Sequence, residues 1–159
     1  MKFSKVTNGV LQGIEEWESK LTQLPEETIM NKRNSQNRTI KQILGHMVDS
    51  VSNNTHRIVH LQIQESPLSF PNYATHGNND RWIAIQDYQH ENWENLIQLW
   101  KYYHLHFNHI VGNVDSDKLS NEWISGSDYG NITLKDMIND FLRHFQLHLN
   151  EIQEIIDQE

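Results

Sequence analysis

Residues 133–156 read TLKDMINDFLRHFQLHLNEIQEII, and this stretch decides the fold class. Its apolar residues recur every three or four positions, which is the period of one face of an α-helix. Thr133, with Asp136 three residues later, is typical of a helix N-terminus. The segment therefore predicts a long amphipathic helix that begins at Thr133 and ends near the C-terminus. Its apolar stripe comprises Leu134, Met137, Ile138, Phe141, Phe145, Leu149, Ile152 and Ile156.

Two histidines of this helix, His144 and His148, are four residues apart, so their side chains leave the same face one turn from each other. At about 100° per residue, His148 falls inside the apolar stripe and His144 falls at its edge. Two imidazoles at this spacing can share a metal ion. The alternative is an HxxxH pattern that occurs by chance in a histidine-rich helix, with an inward histidine that is only hydrogen-bonded in the core.

A third histidine lies on a second predicted helix, residues 39–64, where Thr39 and Gln42 form a capping box in front of an apolar stripe. On this helix His46, Asp49, Asn53 and Arg57 form one narrow polar stripe that borders the apolar face. A polar stripe in this place predicts that the four side chains face the interior of the bundle and form a site there. A solvated stripe with its own hydrogen bonds is the alternative for this helix taken alone.

An ion held by His46, His144 and His148 would have three nitrogen ligands and would keep open coordination positions, which is the arrangement of catalytic rather than structural metal sites. The chain contains no cysteine, so thiolate ligands and a cysteine nucleophile are excluded. Neutral imidazole suits zinc, nickel, copper or iron, and the ligand set does not choose among them.

The remaining segments complete a bundle. Residues 5–24 and 87–111 show the same helical period, which gives four predicted helices around one core. About 22 residues join the second helix to the third and could span about 70 Å, whereas the second helix is only about 39 Å long. The two helices can therefore run parallel, with residues 66–82 as a long loop. Residues 112–131 predict either a short hairpin or a loop.

Length and net charge limit the possible domain organisation and the possible binding partners of this protein. The chain has 159 residues, which fits a single domain over residues 1–159. Its net charge is -8, with scattered basic residues, and this disfavours nucleic-acid binding. The N-terminal residues lack the apolar core of a signal peptide, and no run is long enough to span a membrane, so we expect a cytoplasmic protein without a membrane segment.

The other seven of the ten histidines are weaker ligand candidates. His104 falls in the apolar stripe of the third predicted helix, where a core histidine is favoured over a residue that approaches the metal cavity. His106 and His109 point to the other side of that helix and are predicted to be solvated. The rest have no partner at metal-binding spacing: His56, His60, His76 and His90.

Three segments resemble the DinB/YfiT-like superfamily: HMVDSVSNNTHRI (46–58), NNDRWIAIQDY (78–88) and DFLRHFQLHLNEI (140–152). The resemblance covers nearly the whole chain and depends on the order and spacing of these segments. It implies an all-α four-helix bundle with up-down-down-up topology, a long crossover between helices 2 and 3, and a homodimer. It also implies one divalent metal ion held by His46, His144 and His148. The YfiT-like branch often doubles the last histidine, whereas here Leu147 and Leu149 flank His148.

The activity implied by the resemblance is that of a metal-dependent hydrolase or a transferase of low-molecular-weight thiols, with a non-catalytic binding or stress-response module as the alternative. Zinc or nickel is the preferred metal, with manganese or iron as alternatives. Asp49 and Asn53 could orient a ligand or substrate, and Arg57 could pair with an anionic group. We expect a small-molecule substrate to enter beside the crossover, near Asn53 and Arg57. Tyr73 and Trp82 are then expected to help wall the site.

Overall fold

The computed structural model describes residues 2–158, which form six α-helices and three short strands. The helices are α1 (Ser4–Thr22), α2 (Glu26–Met30), α3 (Ile40–Ile63), α4 (Asn78–Gln86), α5 (Trp93–Gly112) and α6 (Leu134–Ile156). The strands are β1 (Leu68–Ser69), β2 (Glu122–Ile124) and β3 (Asn131–Thr133). Four of the helices, α1, α3, α5 and α6, are long and correspond to the four predicted from the sequence.

Side-chain caps mark the starts of α3, α5 and α6. The predicted capping box of α3 is confirmed, because Thr39 accepts a hydrogen bond from the backbone of Gln42 and the Gln42 side chain accepts one from the backbone of Thr39. The predicted start of the third long helix at residue 87 is wrong. That helix begins at Trp93, where the Asn92 side chain caps it, and a separate turn of 3-10 helix occupies Tyr88–His90.

Contacts between helices fix the chain directions. Near the start of α1, Gly9 lies against Leu142 of α6, and near its end Lys20 is hydrogen-bonded to Gln153, so α1 and α6 run parallel. α1 and α5 run antiparallel, since Trp93 donates to the carbonyl of Leu21 at 3.1 Å, while Asn108 donates to the carbonyl of Thr7 at 2.9 Å.

The same argument applies to α3 and α6. His46 lies beside His148, and Ser50, one turn later, lies beside His144, one turn earlier, so the two helices run antiparallel. It follows that α3 and α5 share one direction. The order is therefore up-down-down-up for α1, α3, α5 and α6, as the resemblance implies.

The core lies between these four helices and is centred on aromatic rings. Trp100 of α5 is stacked on Phe145 of α6 at a centroid distance of 6.1 Å, and Phe107 stacks on Phe141 at 3.9 Å. Gly13 of α1 admits the Phe145 ring, because a Cβ at residue 13 would lie 2.4 Å from it. These contacts join α1, α5 and α6 directly and hold α6 in place for the site it carries.

The crossover between α3 and α5 is more ordered than the sequence predicts. It contains β1, α4 and the 3-10 turn, and the predicted loop over residues 66–82 is therefore wrong in part, since α4 begins at Asn78. Because α4 buries one residue, Ile83, it has no apolar stripe from which the sequence could predict a helix. The ring of Tyr88 lies directly on the backbone of α3 at Gly45.

A small sheet closes one end of the bundle. β2 and β3 form an antiparallel hairpin, which is one of the two alternatives predicted for residues 112–131, and β1 of the crossover adds to β2 in parallel. Strands of two or three residues are too short to show alternation in the sequence. None of the helices in residues 2–158 is both long enough and apolar enough to cross a bilayer.

Candidate metal centre

His46, His144 and His148 converge in the interior of the bundle, where each offers one ring nitrogen and these nitrogens lie within 4.8 Å of one another. His46 is 3% exposed and His148 is 5% exposed. The ring centroid of His148 is 4.6 Å from that of His46 and 4.4 Å from that of His144. Within residues 2–158 this is the one group of three or more potential metal-ligating side chains that meets this spacing.

Hydrogen bonds to the outer ring nitrogens orient two of the imidazoles. His148 Nδ1 lies 2.8 Å from a carboxylate oxygen of Glu151, and His144 Nδ1 lies 3.3 Å from the hydroxyl of Ser50. The two Nε2 atoms consequently face each other at 3.1 Å. A carboxylate on the outer nitrogen favours the tautomer that leaves Nε2 free for a metal ion, as in many histidine metal sites.

Burial keeps His46 and His144 uncharged. Desolvation, followed by the neighbouring His148 and His144, lowers the pKa of His46 to about 2. Desolvation, followed by His148 and then Arg143, lowers the pKa of His144 to about 4. Both rings are therefore neutral near pH 7, which is the form that binds metals. His46 Nδ1 is buried without a hydrogen-bond partner among residues 2–158, so this ring retains an unused polar atom.

Glu151 supplies the negative charge beside the histidines. Burial raises the pKa of its carboxyl, but the hydrogen bond from His148 and the electrostatic influence of His148, Arg38 and His144 outweigh burial and lower the pKa overall. A half-buried carboxylate next to imidazoles gives a cation-binding environment. Three imidazoles, two of them held by outer partners, fit a divalent ion.

Asp49 lies on the same helix but turns to the crossover. It is 1% exposed, and its Oδ1 accepts hydrogen bonds from the Gln86 side chain and the Tyr88 hydroxyl, both at 2.7 Å. Burial raises the pKa of its carboxyl, although both hydrogen bonds act in the opposite direction. Asp49 therefore ties α3 to the crossover and is not part of the histidine cluster.

Asn53 and Arg57 continue the polar stripe. Asn53 donates to the backbone carbonyl of Asp49 at 2.9 Å. Arg57 is buried with its guanidinium carbon 3.9 Å from the centre of the Trp123 ring. Of the three residues predicted to act on substrate, Arg57 alone borders a cavity.

A cavity of about 620 Å³ lies beside the cluster, between α3, α6, the crossover and the hairpin. His144 borders it, so the metal centre and the cavity share a wall. Of the two residues predicted to wall the site, Tyr73 lines the cavity, and Trp82 packs on the outer side of Tyr73 at 5.6 Å and is 38% exposed. The other lining residues include Ser50, Asn54, Arg57, Asn72, Trp123, Tyr129, Met137 and Phe141.

No protein-family model matches the sequence, and no curated protein matches it. Solved structures do match its fold. YfiT from Bacillus subtilis, described as a probable metal-dependent hydrolase with an unusual four-helix bundle topology, has a TM-score of 0.76 at 18% identity. The match covers 94% of this chain and 85% of that one. The chain has the YfiT fold.

A second match to this fold is mycothiol-dependent maleylpyruvate isomerase, with a TM-score of 0.74 at 12% identity. It covers 96% of this chain but 61% of the isomerase chain, so the isomerase is considerably longer. A histidine-to-alanine variant of that isomerase gives the same TM-score at 11% identity. The resemblance stated from the sequence is thereby confirmed for the fold.

Two residues beside the histidine cluster were missed from the sequence although a signal was present. Ser50 is one turn beyond His46 and Glu151 is three residues beyond His148, so both belong to the same helix faces as the histidines. Trp123, in contrast, reaches the cavity only through the pairing of β2 with β1 and β3. No local pattern marks that contact.

Replacing Glu151 with glutamine should lower metal affinity about 10- to 100-fold, since outer-sphere partners of histidine ligands contribute on this scale. The substitution keeps an oxygen for His148 and removes the charge. Competition with a chelating dye on purified protein measures the effect. Glu154→Gln, on the exposed face of the same helix, is the matched control and should bind as the unsubstituted protein does. Equal affinities for both variants would contradict the role of Glu151.

His104 is a core histidine, as favoured from the sequence. It is fully buried, and its Nδ1 is 2.6 Å from the Trp100 carbonyl. Burial lowers its pKa to about 4, although the hydrogen bond to Trp100 raises it. His106 and His109 are exposed, as predicted.

Because the folded pKa of His104 lies below the unfolded value, the unfolded chain binds a proton first and stability falls as pH decreases from about 6.5 towards 4. Between pH 7 and pH 5 this residue alone should cost about 2 kcal/mol of unfolding free energy. Urea unfolding with a chelator present should show that loss reduced by this amount in His104→Leu. The exposed control His106→Leu should keep the original pH dependence. Identical slopes in both variants would refute the assignment.

Proposed function

We propose that this protein is a metal-dependent enzyme that activates a small nucleophile, a thiol or water, for reaction with a molecule held in the cavity beside His144. The observation that carries the proposal is the shared wall between three converging imidazoles and a cavity of about 620 Å³. Cavities of this size accept ligands of drug-like dimensions. One divalent ion, preferably zinc or nickel, with manganese or iron as alternatives, is the proposed cofactor.

The ion would be held by His46, His144 and His148. When bound, it supplies Lewis acidity that lowers the pKa of a coordinated thiol or water into the neutral range. The protein contributes the rest: Glu151 and Ser50 fix two of the rings, and burial keeps His46 and His144 neutral. Asp49 accepts hydrogen bonds from Gln86 and Tyr88 and so holds the crossover near the site. Its influence on the substrate is therefore indirect, through the placement of that segment.

Two reaction classes fit this site, hydrolysis and transfer of a low-molecular-weight thiol. YfiT, which is described as a probable metal-dependent hydrolase, supports the first class. The isomerase, which is described as mycothiol-dependent, supports the use of a thiol. The cavity wall contains Tyr73, Trp123 and Phe141, which suits the organic substrate that either reaction class requires. Both activities, hydrolysis and thiol transfer, are therefore to be assayed.

The test starts from protein purified without a histidine tag. Elemental analysis should find about one divalent ion per chain, and metal-loaded protein should accelerate the reaction of a small thiol with a chromogenic electrophile. His148→Ala is the metal-deficient control in every assay. Bound metal without turnover of thiols, esters or amides would favour a binding or sensing module instead. Absence of metal after incubation with zinc, nickel, manganese and iron would overturn the proposal.

We further propose a cytoplasmic homodimer. The support is the generous supply of aromatic residues, of which Trp82 and Tyr102 are exposed in the single chain. Light scattering of tag-free protein at tens of micromolar should give twice the mass of 18.9 kDa. The monomer mass at that concentration would contradict the expected dimer.

A further inference from the structure

Arg57 is a buried cation without a counter-ion. It is 5% exposed, and within the described part of the chain the structure contains no ion pair to it and leaves its Nε without a hydrogen-bond partner. Its main contact is the face of Trp123, at 3.9 Å. Burial lowers the pKa of Arg57 to about 10, so the guanidinium is still charged near pH 7.

A charge taken out of water is costly unless it is paired, and buried arginines therefore have partners. The planar guanidinium offers donors in a fixed fork, while the Trp123 ring covers one of its faces and leaves the edge for a planar acceptor. Arg57 lines the cavity described above, so the space for a partner is the cavity itself. The missing partner is thus a bound molecule.

Arg57 lies at a defined distance from the metal centre. Ser50, which contacts His144, precedes Arg57 on α3 by seven residues, or roughly 10 Å along the helix. Helical side chains lean towards the N-terminus, so that of Arg57 leans back to the histidine end. Tyr73 lies between them, with its ring 6.0 Å from that of His46. One ligand of modest length can therefore reach both Arg57 and the metal centre.

The charges around the cavity favour a carboxylate over a phosphate. Arg143 also lines it, but Arg143 is exposed and forms two hydrogen bonds to Asp140, at 2.6 and 2.9 Å. Asp136 accepts a hydrogen bond from Thr133 at 2.8 Å. Because Arg143 already neutralises Asp140, Arg57 is the one guanidinium of the lining residues that is left for a ligand, and Asp136 remains as a carboxylate at the rim. One guanidinium matches a single negative charge, whereas a phosphate dianion would meet the same single cation and the Asp136 carboxylate.

From this arrangement we infer that the substrate is a small carboxylic acid whose carboxylate is bound by Arg57, with its reacting group roughly 10 Å away at the histidine end of the cavity. The inference rests on the proposed function for the reacting group, but the carboxylate site does not need the metal. Arg57 is thus a specificity-determining residue and Trp123 positions it.

The experiment uses a matched set of probes and zinc-loaded, full-length protein. 6-Mercaptohexanoate carries a thiol and a carboxylate at about the required separation, 6-mercaptohexanol lacks the charge, and hexanoate and hexanamide lack the thiol. Titration calorimetry should give at least tenfold tighter binding of each acid than of its uncharged partner, because charge-assisted hydrogen bonds contribute on this scale. Both preferences should vanish in Arg57→Met and persist in part in Arg57→Lys.

Arg143→Met, which removes the exposed arginine of the same cavity, is the control and should keep both preferences. If 6-mercaptohexanoate bound no more tightly than hexanoate, while hexanoate still bound more tightly than hexanamide, the result would count against the proposed metal chemistry and still support the Arg57 site. Equal binding of acid and uncharged partner by the unsubstituted protein overturns the inference, and this readout does not depend on whether Arg57→Met folds. A retained preference in a folded Arg57→Met variant overturns it as well.

Discussion

His148→Ala should reduce metal affinity by more than about 100-fold. Structural zinc sites with four ligands contribute roughly 10–16 kcal/mol, so each ligand accounts for about 3 kcal/mol, or a factor above 100 in the dissociation constant. The loss should be larger than for any other single change in the cluster, because His148 contacts both other histidines and carries the bond to Glu151. Elemental analysis after dialysis and competition with a chelator measure it.

The matched control is His109→Ala, which removes an exposed histidine of α5 and should leave the metal content unchanged. Circular dichroism of both apo variants checks that the bundle is intact. Full stoichiometry and unchanged affinity in His148→Ala would show that the ion is held elsewhere, and the three-histidine centre would then be rejected.

Trp100→Ala should lower the unfolding free energy by about 3–5 kcal/mol, the usual cost of truncating a large aromatic residue in a core. Trp100 is fully buried and lies between Phe145, at 6.1 Å, and His104, at 5.6 Å between ring centroids. Removal of its indole leaves a cavity at the centre of the bundle that neither ring can fill without moving. Urea unfolding of the apo protein provides the measurement.

Two comparisons sharpen this result. Trp100→Phe should cost much less, because the indole N–H has no hydrogen-bond partner within residues 2–158, and phenylalanine removes that buried donor. Gln98→Ala, two residues away and exposed, should change the unfolding free energy by less than about 0.5 kcal/mol. If Trp100→Ala cost no more than Gln98→Ala, the described core packing would be wrong.

The long helices could be predicted because each carries a full apolar stripe, and the convergence of His144 and His148 follows from their spacing alone. His46 was a candidate from the polar stripe of its own helix, and the resemblance added that this helix lies opposite α6. The stripe is buried, as predicted, but not all of it faces the histidines. Ser50 faces His144, whereas Asp49 turns away to the crossover, because that segment packs against α3 through Gln86 and Tyr88.

The crossover was predicted as a long connection, but the elements inside it could not be predicted. α4 is nine residues long and buries one of them, and the strand pairing of Leu68 with Trp123 joins segments that are far apart in sequence. Such elements are stabilised by tertiary contacts and leave little local periodicity. Part of the cavity wall comes from the crossover and the hairpin, including Tyr73 and Trp123, so its shape was the least predictable part of the site.

The contact between the Tyr88 ring and Gly45 limits which residues can occupy these two positions. A glycine inside a helix costs about 1 kcal/mol relative to alanine, so the helix alone would favour a change at residue 45. A Cβ there would lie 2.2 Å from the Tyr88 ring, however, and would displace the residue whose hydroxyl is bonded to Asp49. In a saturation library, alanine at residue 45 should therefore survive mainly together with a smaller residue at position 88. Substitutions at the two positions, which are 43 residues apart, should therefore occur together in the surviving variants.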